Sequence, residues 1–158
     1  MARGRAALVL IGVSFLVLGF SVAGGRLALS GGATRISQPP APDAPWTGAI
    51  ERIDAALAAG DAYAADRAWH DAYMAALGSR RWEGMIAVGD ASVRIGGIEE
   101  FRQVATARAR QTYLIALFRA RRAGSLDGVQ SAGRAFEKLG DRAAAEQSMR
   151  VAETLAAR

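Results

Sequence analysis

The sequence contains no cysteine, a single histidine and only one lysine among its 158 residues. Without cysteine the chain forms no disulfide, holds no thiolate zinc site or iron–sulfur cluster, and has no cysteine nucleophile. One histidine, His70, excludes a metal site built from several histidines. The chain also lacks the phosphate loop, dinucleotide fingerprint and nucleophile elbow of common enzyme classes. We therefore expect no cofactor, no metal and no catalytic site.

His70 is the residue that most suggests chemistry, because Asp66 and Asp71 lie beside it on a predicted helix. A histidine flanked by carboxylates can act as a base or as a ligand. No partner motif accompanies these three residues in the sequence. We therefore expect them to have a role on the helix surface or in packing.

Excess positive charge is confined to the amino-terminal end. The formal net charge is +5, yet the first 35 residues carry four arginines and no acidic residue. The remaining chain holds 16 basic and 15 acidic residues and is nearly neutral. A protein that follows a phosphate backbone needs a basic face. We therefore expect no binding to nucleic acid.

The amino terminus contains a charge-free stretch of 20 residues, 6–25. At about 1.5 Å per residue, a helix of this length crosses a hydrocarbon core of about 30 Å. Two interpretations stay open for residues 1–29: an uncleaved single-pass anchor, or a signal peptide cleaved after Ala23. The positive charges before the stretch outweigh those after it, which places the amino terminus in the cytoplasm. We expect a single-pass inner-membrane protein whose remaining chain is periplasmic or extracytoplasmic.

Proline is confined to one short segment. All four prolines lie between residues 39 and 45, and glycine and serine precede them. Such a composition is typical of a spacer that is extended at the prolines and flexible before them. We therefore expect residues 30–45 to link the amino-terminal segment to a folded domain of residues 46–158.

That domain has the composition of an all-α fold. It contains no proline over 113 residues, and the whole chain holds 36 alanines, which helices accommodate better than strands do. Glycines recur at intervals that separate helix-length pieces, as expected for antiparallel helices. The six predicted helices cover about residues 47–59, 62–77, 79–95, 98–123, 126–139 and 141 onward.

The first and last predicted helical pairs share a repeated pattern. When Gly60-Asp61 is set over Gly140-Asp141, small and large side chains coincide at three positions. The coinciding residues are Ala65 with Ala145, Trp69 with Met149, and Ala72 with Ala152. Self-similarity of this kind indicates stacked supersecondary units.

This pattern resembles the tetratricopeptide repeat, a helix–turn–helix unit of about 34 residues. In the last unit we expect Gly133 and Ala145 to let the two helix backbones approach each other. Phe136 and Met149 are expected to fill the space between those helices. The resemblance implies three helical hairpins over residues 46–158, and a plain six-helix bundle is the alternative.

The middle unit follows the pattern less well. It keeps a Gly96-Gly97 turn, but Phe101 stands where a small residue is expected. The intervals from Gly60 to Gly96 and from Gly96 to Gly140 are 36 and 44 residues. We expect the long fourth helix to absorb the difference.

In proteins of the tetratricopeptide type, the first helix of each pair lines a concave face that binds peptides or partner helices. The resemblance implies that eight polar residues face such a groove: Glu51, Asp54, Glu83, Asp90, Arg94, Gln130, Arg134 and Lys138. Their charges run from acidic to basic, and such a gradient orients a ligand by complementarity. The alternative is that they are only the exposed polar residues of ordinary helices.

The fourth predicted helix is rich in arginine. It carries Arg108, Arg110, Arg119, Arg121 and Arg122, which project to more than one side. We expect a solvated surface here, and contact with anionic lipid headgroups or with an acidic partner is the alternative.

The expected function follows from the resemblance and from the amino-terminal segment. We expect a membrane-tethered adaptor of the tetratricopeptide type that binds a protein or peptide in a bacterial envelope assembly, without catalysis. The preference for alanine and arginine over lysine is typical of a GC-rich bacterial genome. The alternatives are a secreted, soluble helical-repeat binding protein released by signal cleavage, and an enzyme whose site is not recognised.

Overall fold

The computed structural model describes residues 44–157, so the segment 6–25 and all but the end of the linker 30–45 lie outside the described residues. It contains six α-helices: α1 (Thr47–Ala58), α2 (Ala62–Ser79), α3 (Trp82–Ile95), α4 (Arg102–Arg122), α5 (Leu126–Leu139) and α6 (Arg142–Ala156). A short 3₁₀ helix, Glu99–Phe101, precedes α4. No strand occurs in this part of the chain, which confirms the prediction of an all-α fold with six helices. None of these helices is long and apolar enough to cross a membrane.

Consecutive helices pack as three hairpins, α1 with α2, α3 with α4, and α5 with α6. The second helix of each of the first two hairpins also packs against the first helix of the next hairpin. In addition, α1 contacts α3, and α3 contacts α5. The first helices therefore lie side by side along the order of the chain.

Three of the turns between helices end the preceding helix in the same way. Gly60, Gly124 and Gly140 have φ angles of +74°, +65° and +83°, which L side chains rarely adopt. At each turn the following amide donates to a carbonyl five residues earlier, as in the Schellman motif. Asp61 and Asp141 then accept a hydrogen bond from a backbone amide of the next helix and cap α2 and α6. The expected Gly-Asp helix boundaries are therefore confirmed at both places.

The second helix is longer than expected, and the third begins three residues later as a result. α2 continues to Ser79, and Arg80 then adopts a left-handed conformation with φ of +59°. The guanidinium of Arg119 donates to the carbonyls of Ala76 and Leu77. Because the last carbonyls of a helix lack partners within the helix, this distant arginine supports the extended end of α2.

The fourth helix is shorter than the single rod expected over residues 98–123. After the Gly96-Gly97 turn, the chain first forms the 3₁₀ helix, and α4 then runs for 21 residues. Four residues at the start of the expected rod therefore lie outside the α-helix.

Two clusters of buried apolar side chains form the core. The first includes Trp46, Ala72 and Met85 and lies within the first two hairpins. The second includes Tyr113 and Phe136 and joins α4 to the last hairpin. Many members of both clusters are alanine, so neighbouring helix backbones lie close together.

The three hairpins share one register. The equivalent segments of their first helices are 46–60, 82–96 and 126–140, each of which ends in glycine. In the second helix of the first hairpin, the small–large–small pattern is Ala65, Trp69 and Ala72. The same pattern recurs 44 residues later, and all its members are buried: Ala65, Trp69, Ala72, Ala109, Tyr113 and Ala116.

The alignment of the middle unit at Phe101 is therefore wrong. Phe101 belongs to the 3₁₀ helix, and the small residue expected there is the fully buried Ala109, eight positions further along the chain. The additional residues of the longer interval precede the buried part of α4. These residues lie between the Gly96-Gly97 turn and the small–large–small pattern. Counting a fixed number of residues from the turn therefore places the pattern too early in the chain.

The prediction that Met149 fills the space between α5 and α6 holds only in part, because its Sδ lies 4.0 Å from a Cβ built on Gly133 but much of the residue faces solvent. Its side chain is 51% exposed, whereas Phe136 is fully buried as expected. A Cβ atom on Gly133 would lie 3.2 Å from the Cβ of Ser148 and 3.9 Å from the carbonyl oxygen of Ala145. The close approach of the two helices at Gly133 is thus confirmed, and the buried Ser148 is the residue opposite it.

The exposure of Met149 follows from its place at the end of the stack. In the first hairpin, the equivalent Trp69 donates its Nε1–H to the carbonyl of Val88 in α3 at 3.0 Å. In the second hairpin, the ring of Tyr113 meets the ring of Phe136 in α5, with centroids 5.8 Å apart. This position therefore packs against the following hairpin, and no hairpin follows α6 within residues 44–157.

Candidate functional site

The eight residues predicted to line a groove all lie on α1, α3 and α5. In the shared register, Asp54, Asp90 and Arg134 occupy one equivalent position on the three helices. Arg94 and Lys138 share the position about one helical turn further on. We call the surface that carries these five residues the α1–α3–α5 face.

Glu51, Glu83 and Gln130 lie earlier on the same helices. They precede the shared position by three, seven and four residues, spacings that put side chains on one side of a helix. Glu51 is exposed, and the other two are half-buried. The equivalent helices thus place all eight predicted residues on corresponding sides.

Asp54 and Arg94 form an ion pair between α1 and α3. The Nε–H of Arg94 donates to Oδ1 of Asp54 at 2.8 Å. Both side chains are largely exposed, so water screens the pair, and its stabilisation is about 1 kcal/mol or less. The pair neutralises two of the charges that make up the predicted gradient.

Asp90 is held by a buried tyrosine. The hydroxyl of Tyr113 donates to Oδ1 of Asp90 at 2.7 Å. Burial, and then the negative charge of Asp90, raise the pKa of Tyr113, so the phenol stays a neutral donor. This bond fixes the Asp90 carboxylate on α3, and sequence analysis missed it because 23 residues separate the partners.

Glu83 pairs with a residue just before its own helix. Nη2 of Arg81 donates to Oε1 of Glu83 at 3.1 Å, and this hydrogen bond raises the pKa of Arg81. The pair is local and exposed, so it adds little to the stability of the fold.

The basic residues of α5 have no acidic partner within the described chain. Arg134 donates to the hydroxyl of Ser131 at 2.9 Å, and Lys138 is exposed. Neither of them, nor Glu51 on α1, forms an ion pair with another of residues 44–157. The charges on this surface without an ion-pair partner among the described residues are therefore acidic at α1 and α3, where Asp90 is exposed, and basic at α5.

Of the five arginines that the sequence singled out in the fourth helix, three bind neighbouring elements. Arg108 forms an ion pair with Asp66, and its guanidinium lies 4.5 Å from the centroid of the Trp69 ring. Arg119 donates to three backbone carbonyls around the end of α2, and burial lowers its pKa. Arg110 donates to Asp141 at 2.6 Å. Of these five, Arg121 and Arg122 are exposed and form no ion pair with another of residues 44–157.

The Arg110–Asp141 pair makes the stability of the fold depend on pH. The hydrogen bond from Arg110, followed by that from the Ala144 amide, lowers the pKa of Asp141 below its ordinary value of 3.8. A carboxyl group whose pKa is lower in the folded chain stabilises the fold above about pH 4, and this contribution is lost as the pH falls through the folded pKa. We expect Asp141→Asn to lower the free energy of unfolding at neutral pH and to lose this difference in acid.

Urea unfolding of the wild type and of Asp141→Asn at several pH values between about 2 and 7 measures this dependence. Asp127→Asn is the matched control, because Asp127 is exposed and forms no ion pair with another described residue. A stability difference for Asp141→Asn that stays constant with pH contradicts the prediction.

The cluster around His70 is used for packing between helices. Asp66 pairs with Arg108, and Asp71 accepts a hydrogen bond from Arg52 at 2.9 Å, while His70 is exposed. Within residues 44–157 there is no group of three histidine, cysteine or acidic side chains that could hold a metal ion.

Two shallow clefts lie on the first and last hairpins, apart from the α1–α3–α5 face. One has a volume of about 390 Å³ and is lined by Arg52, Ala55, Ala56, Ala64, Arg67, Ala68 and Asp71. The other has a volume of about 380 Å³ and is lined by Arg121, Gln147, Arg150, Val151, Thr154 and Leu155. Neither contains the enclosed apolar lining with converging polar groups that is typical of a small-molecule site.

The strongest candidate site is therefore an extended surface on stacked helices. Its functional interpretation rests on the residues described above. Comparison of the chain with protein-family models, with curated proteins and with solved structures finds no match in any of the three.

Proposed function

We propose that this chain is a membrane-tethered adaptor of the tetratricopeptide type, and that it binds a protein or peptide along the α1–α3–α5 face. The observation that carries the proposal is the row formed by Asp54, Asp90 and Arg134. These side chains occupy one equivalent position on three first helices that contact each other in order. An extended peptide that crosses the three helices would contact one of these side chains on each hairpin. Helical-repeat proteins bind extended ligands in this way.

The order of helix contacts supports a stack of hairpins over a closed six-helix bundle. In a closed bundle, the first and last helices share one core. Here α1 and α2 have no extensive contact with α5 or α6 among the described residues. Each hairpin instead contacts the next one, as repeats of a solenoid do.

The available charges define the ligand that the face prefers. Arg134 and Lys138 at the α5 end favour acidic residues, and Glu51 at the α1 end favours a basic residue. Such complementarity sets the orientation of the ligand and speeds association more than it adds affinity. We therefore infer a peptide segment that is acidic at one end and basic at the other.

The membrane part of the proposal rests on the sequence. The charge-free stretch 6–25 has the length of a membrane span, and the composition of residues 30–45 is typical of a spacer. The arginines that precede the stretch favour a cytoplasmic amino terminus and export of the domain. The proposed partner is then a component of an envelope assembly.

We expect the variant Arg134→Glu with Lys138→Glu to lose one defined partner when the full-length chain is crosslinked in intact cells. Reversing two charges that face an acidic ligand replaces attraction by repulsion, and we expect recovery to fall by about tenfold or more. Mass spectrometry of the crosslinked complexes measures the recovery. The matched control is Arg121→Glu with Arg122→Glu, which changes the net charge equally at exposed positions of α4.

A partner recovered equally with both variants contradicts binding at the α1–α3–α5 face. A partner lost only with the α4 variant assigns binding to the arginines of α4, as in the anionic-surface alternative. The intact mass of the recovered chain tests the tether in the same sample. Retention of the first 23 residues supports the anchor, and a chain that begins at Gly24 contradicts it.

A further inference from the structure

The interface between the first and second hairpins is built on one glycine of α3. A Cβ atom on Gly84 would lie 2.9 Å from Cε3 of Trp46 and 3.0 Å from the Cβ of Ala76. The ring before α1 and the alanine near the end of α2 thus occupy the space that a side chain at Gly84 would need.

The interface between the second and third hairpins repeats this contact. A Cβ atom on Gly128 would lie 2.8 Å from Cε2 of Trp82 and 2.7 Å from the Cβ of Ala120. Trp82, Ala120 and Gly128 are the equivalents of the three residues at the first interface in the shared register. One hairpin therefore supplies a large side chain and an alanine, and the next supplies a glycine.

The last hairpin carries a large side chain and an alanine at the equivalent positions, but no following helix of the described chain supplies the glycine. Leu126 stands at the position of Trp82, and Ala156 stands at the position of Ala120. Leu126 is 37% exposed, Ala156 is exposed, and Met149 beside them is the exposed residue described above. We call this surface the tail. Tyr113 and Ala120, the equivalents of Met149 and Ala156, are buried, whereas no following helix of residues 44–157 covers the latter two.

The first hairpin carries the glycine of this contact, on α1. Gly48 stands at the position of Gly84, and no described atom outside its own helix lies within 4 Å of a Cβ built there. Arg52 and Ala55 continue this side of α1 and are exposed. Their equivalents in α3 are Val88 and Ala91, and those in α5 are Ala132 and Ala135, all of which are buried. We call this surface of α1 the head.

The head and the tail carry opposite charges at matching heights. In the first interface, Trp69 reaches Val88 and Ala76 approaches Gly84, so the two helices run in opposite directions. On α2, Tyr73 lies between Trp69 and Ala76, and its equivalent in the tail is Glu153. The equivalent of Val88 in the head is Arg52, whose guanidinium also pairs with Asp71 of its own chain. Docking of a head on a tail therefore brings a carboxylate within about one helical turn of a guanidinium.

We propose that a second copy of this chain docks its head on the tail of the first, so that the stack of hairpins continues from one molecule into the next. The contact is heterologous, because two different surfaces meet, and it leaves the tail of one chain and the head of the other unused. This association leaves the α1–α3–α5 face unoccupied and does not depend on the ligand proposed for it. It also extends that face from one chain to the next.

Disulfide trapping in the full-length chain tests this geometry, because the natural sequence has no cysteine. One variant carries Gly48→Cys in the head, and the other carries Ala156→Cys in the tail. At both internal interfaces the equivalent Cβ positions are in contact, and a disulfide needs Cβ atoms about 3.5–4.5 Å apart. We expect mild oxidation of an equal mixture to give a disulfide-linked dimer that contains one copy of each variant.

The control mixture pairs Gly48→Cys with Ala123→Cys, an exposed position that belongs to neither surface. We expect the head–tail mixture to give about ten times more mixed dimer than this control, since docking raises the local thiol concentration. Adding Glu153→Arg to the tail variant should lower the yield, with circular dichroism showing that the helices are retained. A yield equal to that of the control, or dimers formed by either cysteine variant alone at the level of the mixture, overturns the proposal.

Discussion

Replacing Gly89 by alanine is expected to lower the free energy of unfolding by about 1–3 kcal/mol, as overpacking of a filled core does. A Cβ atom at this position would lie 2.6 Å from Cδ1 of Tyr113 and 2.7 Å from the hydroxyl of Thr112. Both partners are buried, so they cannot move into solvent to make room. Urea unfolding of the full-length chain, followed by far-ultraviolet circular dichroism, measures the change.

Gly78→Ala is the matched control for this substitution. Gly78 also lies in a helix, but nothing is found within 4 Å of a Cβ built on it. Alanine favours a helix over glycine by up to about 1 kcal/mol, so the control is expected to be neutral or more stable. Equal effects of the two substitutions contradict the packing of α3 on α4 described here.

Removing the ring of Tyr113 is expected to cost about 3–5 kcal/mol, the usual range for truncating a large buried aromatic side chain to alanine. This ring lies at the junction of three helices. It packs on Gly89 of α3, meets Phe136 of α5 and is itself part of α4. Tyr113→Ala therefore weakens both the second hairpin and its contact with the third.

The order of unfolding tests this role of Tyr113. Trp46 and Trp69 pack within the first two hairpins, but the ring of Trp82 touches Gly128 of the third hairpin, so fluorescence is read in chains that also carry Trp82→Phe. Circular dichroism reports on all helices. The two signals are expected to change together in the wild type, while in Tyr113→Ala the dichroism should fall at lower urea than the fluorescence. Coincident transitions in this variant contradict the proposed coupling between hairpins.

Tyr113→Phe separates the hydroxyl from the ring. It keeps the contacts of the ring and removes the hydrogen bond to Asp90, for which we expect a loss of about 0.5–1.5 kcal/mol. A loss as large as that of Tyr113→Ala would show that the hydrogen bond, rather than packing, stabilises the junction.

The parts of the fold that sequence analysis predicted are those encoded by neighbouring residues. Gly60 and Gly140 end their helices because each adopts a positive φ angle, and the aspartates after them cap the next helix. Each of these devices acts within a few residues, so the sequence displays it directly. The predicted boundary failed at Ser79, where hydrogen bonds from the distant Arg119 support the end of α2.

The sequence predicted where the residues of the candidate site lie on the helices, but not which side chains they contact. The helical spacing places the eight polar residues on corresponding sides of α1, α3 and α5. The sequence does not reveal that Asp54 is paired with Arg94, or that Asp90 is held by Tyr113. Both contacts join different helices, across 40 and 23 residues, and the Asp54–Arg94 pair removes two of the charges that a ligand would meet.

The sequence alone determined six helices within residues 46–157 and glycine turns at four of the five junctions between them, because helix propensity, helix capping and the conformational freedom of glycine are local properties. Only the tertiary structure decided where the repeated pattern resumes in α4 and why Met149 is exposed while its equivalents Trp69 and Tyr113 are buried. These outcomes depend on which hairpin packs next in space. That information is held in contacts such as Trp69 with Val88 and Tyr113 with Phe136, across 19 and 23 residues, which no local pattern expresses.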